Sequence, residues 1–133
     1  MTMKNNDLHK RHLAKIHALK KQLGLDDETY RALLLTHGGK ASSKDMTAQE
    51  KVKVINWMAG YLNGKKAAEQ YADRGGLFDA INSLRRQMHR HNNYVIEIAR
   101  RMFGHGDLRR CTVIELGMVL VALQEQQQRE VTP

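Results

Sequence analysis

Seven arginines stand within 26 positions of this 133-residue chain: Arg85-Arg86, Arg90, Arg100-Arg101 and Arg109-Arg110. Only Glu97 and Asp107 oppose them in that stretch. A guanidinium is always charged, and its planar fork of N–H donors matches two phosphate oxygens at once. Lys10, Lys15 and Lys21 form a second basic group near the start. Binding to a polyanion releases its condensed counterions, so the chemistry these residues offer is the gripping of a nucleic-acid backbone. With two Phe, four Tyr and one Trp, the chain is poor in stacking platforms, which favours duplex DNA over single strands. A basic face that is merely solvated is the alternative for either cluster taken alone.

No other set of residues composes a reaction. Of the seven histidines, His9 and His12 lie three apart and His89 and His91 two apart, and neither pair has a third metal ligand nearby. His37 ends an apolar stripe just before a glycine pair and reads as a helix C-terminal residue. Cys111 has no nucleophile motif; Arg109 and Arg110 could lower its pKa, but a packing role beside Leu116 fits better. The glycine clusters Gly38-Gly39, Gly75-Gly76 and Gly104-His105-Gly106 lack the spacing of a phosphate-cradling loop. Asp26-Asp27-Glu28 is explained by a helix N-terminus. The expectation is a protein that is not an enzyme, with no cofactor and no metal.

These residues need helices to position them. Leu8, His12, Ile16, Leu19 and Leu23 recur at helical spacing, with Gly24 as the stop. Asp26 can cap a second helix that buries Tyr30, Leu33, Leu34 and His37. Thr47-Ala48-Gln49-Glu50 has the form of a capping box before a helix carrying Val54, Ile55, Trp57, Met58, Tyr61 and Leu62, and Asn63-Gly64 is its expected end. Leu77, Ile81, Leu84 and Met88 form another stripe, and Tyr94, Ile98 and Met102 a further one ending at Gly104. Thr112-Val113-Ile114-Glu115 is a second capping box. The valines and isoleucine after it would suit a strand, but the box favours a helix, with Gln124 to Pro133 fraying.

The two boxes suggest an internal repeat. A shift of 65 maps Thr47 onto Thr112, Glu50 onto Glu115, Val54 onto Val119, Ile55 onto Leu120 and Met58 onto Leu123. Upstream, a shift of 66 maps Tyr30 onto Ile96, Leu33 onto Ala99 and Gly38 onto Gly104, which implies one residue lost in the connector. The fold expected is all-α: two helical-hairpin repeats plus a basic N-terminal amphipathic helix, in a small bundle. The expected division is 1–64, a linker at 65–76, and 77–133. Hairpins of this size must pack on each other, on the first helix, or across a homodimer.

The formal charge is +8, distributed as +5 over residues 1–24, zero over 25–64 and +3 over 65–133. The N-terminus has no apolar core of a secretory signal, and the longest apolar run, Met118 to Leu123, is too short to span a bilayer. A single cysteine suits a reducing compartment, so a cytoplasmic protein without a membrane partner is expected.

Leu13-Ala14-Lys15-Ile16-His17, then the run from Lys20-Lys21-Gln22-Leu23-Gly24-Leu25-Asp26-Asp27-Glu28-Thr29-Tyr30 to Arg31-Ala32-Leu33, with Gly39-Lys40 and Met46-Thr47, resembles the GemA family of bacteriophage Mu and Mu-like prophages. Leu108-Arg109-Arg110-Cys111-Thr112 is similar to that family's second stretch, which more often has an aromatic residue and a leucine before the threonine. The resemblance implies an early phage protein that modulates host gene expression and DNA supercoiling, and it carries over no catalytic residue. Double-stranded DNA is the first partner to expect. The alternative is a non-enzymatic module that binds host gyrase or transcription machinery without touching DNA.

Overall fold

The computed structural model describes residues 5–131. Among them the chain is all-helical: α1 (Asn5–Leu23), α2 (Asp27–Gly38), a 3-10 turn (Ser43–Asp45), α3 (Ala48–Ala68), α4 (Arg74–Gln87), α5 (Asn92–Phe103), a second 3-10 turn (Leu108–Arg110) and α6 (Val113–Val131). It divides into two compact units, Met1–Leu62 and Asn63–Pro133. No helix among the described residues is long and apolar enough to cross a membrane.

In the first unit the stripes meet in one core: Ile16, Leu19 and Leu23 of α1, Tyr30 and Leu34 of α2, Met46, and Val54, Ile55 and Met58 of α3. Burying a side chain of the Leu or Ile class contributes about 1.5–3 kcal/mol. Local signals hold the helix ends. Asp26 accepts from Thr29 N at 2.7 Å. The first box closes in both directions, Thr47 N donating to Glu50 Oε1 at 2.8 Å and Glu50 N to Thr47 Oγ1 at 3.2 Å. Lys40 Nζ also donates to that carboxylate at 2.6 Å, and together with the Thr47 N–H it lowers the Glu50 pKa to about 2.

The second unit buries Leu77, Ile81, Leu84 and Met88 around α4, Val95 and Ala99 of α5, and Cys111, Leu116, Val119, Leu120 and Leu123. Its box closes as the first does, at 2.8 and 3.1 Å between Thr112 and Glu115. Residues 113–123 are helical, and Cys111 shares a core with Leu116, as a hydrophobic staple requires.

Several expectations need correcting. α3 does not end at Asn63-Gly64 but runs to Ala68, so residues 65–68 of the expected linker are helix, as are 74–76 in α4. The reason lies in the contact with α6. A Cβ on Gly117 would stand 2.1 Å from the Gly64 carbonyl oxygen, and one on Gly64 2.3 Å from Met118 Cγ. Two glycines let the helix backbones touch there, and that packing outweighs the roughly 1 kcal/mol that glycine costs a helix. α6 likewise continues to Val131 rather than fraying from Gln124, helped by Glu130, which pairs with Arg90 and accepts from Gln126. In α5 the buried stripe is Val95 and Ala99, with Tyr94, Ile98 and Met102 only half-buried against it.

That last correction also resets the internal register. No second shift of 66 is found. α2 and α5 are both 12 residues long and end on left-handed glycines, Gly39 and Gly104, each at φ 80° and ψ 0°. A residue with a Cβ is strained in that conformation, so glycine closes both helices. Both 3-10 turns, both boxes and both glycine caps lie 65 positions apart. The correspondence continues upstream. Leu25 N to Lys20 O matches Arg90 N to Arg85 O, and the positive-φ residues Gly24 and His89 match as well. The local backbone signals therefore recur over three helices in chain order, α1 to α3 and α4 to α6, rather than over a hairpin.

Candidate nucleic-acid interface

The arginines of the second unit divide by environment. Arg85 is spent on structure: its Nη1 donates to the Arg90 carbonyl at 3.0 Å, closing the α4–α5 turn. Its Nε is buried with no partner among the described residues. Arg90 lies over the Tyr94 ring at 5.1 Å and forms an ion pair with Glu130. Arg101 belongs to a groove between α5 and α6 that also holds Tyr94, Glu125 and Arg129, a site of mixed charge. Arg86 is exposed at the end of α4.

Arg100 and Arg109 both adjoin Gly106 in the loop after α5. A Cβ on Gly106 would lie 3.3 Å from Arg100 Nη2 and 2.5 Å from Ile96 Cγ2, so the loop passes directly beneath the Arg100 head group. Arg109 lines a groove with Asn92, Ile96, Gly106 and Asp107, and Arg110 follows it in the 3-10 turn. The Arg109 side chain is 89% exposed and that of Arg100 58%. Each has one weak carboxylate neighbour, Asp107 at 3.4 Å and Glu97 at 3.0 Å. Exposed pairs of this kind contribute little and separate easily when a stronger anion arrives. Among the described residues, Arg86, Arg101 and Arg110 have no ion-pair partner.

Lys10, Lys15 and Lys21 of α1 are exposed. Lys10 and Lys21 fall within about 20° of each other around the helix, whereas Lys15 lies about 140° from Lys10. They do not form one stripe.

Sequence reasoning missed two residues. Arg74 donates from Nη2 to the Arg109 carbonyl at 2.9 Å and from Nη1 to the Cys111 carbonyl, clamping the 3-10 turn that carries Arg109 and Arg110. Cys111 itself is buried, and burial pushes its thiol pKa up, the opposite of the lowering that neighbouring arginines could bring. The second residue is Lys51, 2% exposed and largest among the fully buried side chains. Its Nζ donates to His9 Nδ1, and burial lowers its pKa. His12 stands beside it, with its pKa lowered by burial first and then by Lys51 and His9, and its Nδ1 is buried without a partner among the described residues. An ammonium taken out of water without a carboxylate is strongly penalised. The signal was present in the register: Lys51 is one turn before Val54 and Ile55 on the same stripe, and 65 positions before the fully buried Leu116.

His37 stacks on Trp57 with ring centroids 4.1 Å apart, half-buried and with its pKa lowered by that burial. Among the described residues no group of three His, Cys, Asp or Glu could hold a metal ion.

No curated protein and no solved structure matches this chain. A family model described as bacteriophage Mu, GemA protein matches residues 25–129, from the turn before α2 to the last turns of α6. With most of its length inside that match, the chain belongs to the GemA family of bacteriophage Mu.

Proposed function

We propose that the chain is a non-enzymatic regulator that binds duplex DNA through the Arg100, Arg109 and Arg110 edge of its second unit. Acting on DNA, it would modulate host gene expression and supercoiling in the bacterial cytoplasm. The observation that supports this reading is that Arg100 and Arg109 both adjoin Gly106, with Arg109 on a turn that Arg74 holds in place. Two exposed guanidiniums beside one loop can take phosphate oxygens in place of their weak carboxylate neighbours. Arg101 and Arg86 extend the basic surface, and the net charge of +8 draws polyanions to it.

Fluorescence anisotropy of a random duplex across a salt series tests the reading. Micromolar binding should weaken steeply with salt and be lost when Arg100, Arg101, Arg109 and Arg110 are all changed to Gln. Absence of binding at low salt would sink it. The second reading, a module that docks on host gyrase or transcription machinery, would then take its place. It has an observation of its own: Val52 on α3 and Val113 on α6 are exposed apolar residues.

A further inference from the structure

The two units treat one groove differently. In the second unit, Ile114, Gly117 and Met118 at the start of α6 receive a helix, the last turns of α3 from Gly64 to Ala68. The corresponding positions of the first unit are Gln49, Val52 and Lys53. With Leu8, His12 and Ala48 they line an open groove between α1 and α3 that no described segment fills. Val52 is 41% exposed there, where its counterpart Gly117 is buried under a helix.

The charge has changed with the occupancy. Leu116 and Met118 correspond to Lys51 and Lys53. A cavity of about 500 Å³ adjoins the groove, sharing Leu8 and Ala48 with it and lined further by His9 and Lys51. Among the described residues no carboxylate lines either space. An apolar floor is thus flanked by Lys51 and Lys53, with His9 and His12 beside them and no carboxylate in the lining.

We propose that this groove docks an acid-flanked amphipathic helix of a partner protein. Its apolar face packs on Leu8, Ala48 and Val52. Its carboxylates meet Lys53 and enter the cavity of Lys51 and His9. A helix is the fitting occupant because the same backbone frame holds one in the second unit. The occupant should be acidic, since the positive rim is uncompensated. The chain's own α6 tail is a poor match, because Arg129 stands where Gly64 does and would bring a cation to a groove flanked by lysines.

The test uses the full chain and two labelled amphipathic peptides with the same Leu and Ala face, one flanked by Glu and the other by Lys. The Glu peptide should bind in the micromolar range, and the Lys peptide at least about tenfold more weakly. Val52→Asp, at an exposed position and with an unchanged melting curve as control, should weaken the Glu peptide by about tenfold. Lys53→Glu should reverse the preference between the peptides. The arginine-to-glutamine variant that loses DNA should keep the peptide, and Val52→Asp should keep DNA, so this proposal and the DNA reading can fail separately. Equal binding of both peptides, or of neither, overturns the proposal. So does self-association that Val52→Asp abolishes, which would assign the groove to a second copy. Displacement of the Glu peptide by duplex DNA together with insensitivity to Val52→Asp also overturns it, leaving only a basic patch.

Discussion

Residues 51 and 116 occupy the same place in two units built on one backbone plan, one residue after a capping box and facing the core, yet one is lysine and the other leucine. Each is almost wholly buried. The second unit fills its frame: Leu116 in the core, Arg74 across two carbonyls, and a helix against Gly117. The first unit places His9 where Arg74 stands, a buried ammonium where Leu116 stands, and an open groove where the helix lies. The caps and glycine stops hold the frame in both, because they satisfy backbone groups and are indifferent to what the side chains enclose. What fills the frame can therefore diverge, and the first unit has a lysine–histidine pair where the second has leucine and arginine.

Exchanging residues between the units sharpens this contrast. The largest effect belongs to Gly117→Val, which drives a branched side chain into the Gly64 backbone. It should cost the second unit about 4 kcal/mol or more, read as loss of its unfolding transition in thermal melts. The reciprocal Val52→Gly should cost only about 1 kcal/mol, the helix penalty of glycine. Comparable losses in both variants would break the comparison.

Next comes the core position itself. Leu116→Lys buries an ammonium in the apolar core of the second unit and should destabilise by about 3–5 kcal/mol, whereas Lys51→Leu should be neutral or stabilising by about 1–4 kcal/mol. Denaturant titrations of the two variants decide this, and a large loss in Lys51→Leu would show that the ammonium has a counter-charge outside the groove.

The same cluster makes the first unit sensitive to acid. His12 is held below the ordinary 6.5 by burial, then by Lys51 and His9, so its neutral form is favoured in the fold. The unfolded chain takes up the proton first. Stability from this site is complete above pH 6.5 and declines as the pH falls below it. Midpoints measured from pH 7.5 to 5 should show that decline (about a one-proton dependence at most), and Lys51→Leu should make it shallower without removing it, because burial is the larger cause. The smallest effects are those of Thr47→Ala and Thr112→Ala. Each should cost about 1 kcal/mol, and the double variant should equal their total to within about 0.5 kcal/mol.

Much of the fold was legible because its signals are local. A capping box, an acidic first turn, a glycine in the left-handed conformation and a stripe at helical spacing each involve residues within one or two turns, so their meaning survives without knowledge of the partner surface. Asp26, Thr47, Thr112, Gly39 and Gly104 could be read in this way, as could the stripe of Leu77, Ile81, Leu84 and Met88. The family resemblance rested on Leu13 to His17 and Lys20 to Leu33, with Gly39-Lys40 and Met46-Thr47, stretches that include several of these turn and cap residues.

Other features depend on contacts between residues far apart in the chain. Gly64 is a stop by its local cost, yet it continues a helix because Gly117 lies against it 53 positions later. Arg85 and Arg109 have the same residue type in the same charge run, but one closes a turn and the other faces solvent. Lys51 is a surface residue by composition and a core residue by register, with His9 as its partner from another helix. Periodicity says which side of a helix is turned inward; only packing decides what it meets there, and that meeting sets whether a charge is spent, exposed or left without a counter-ion.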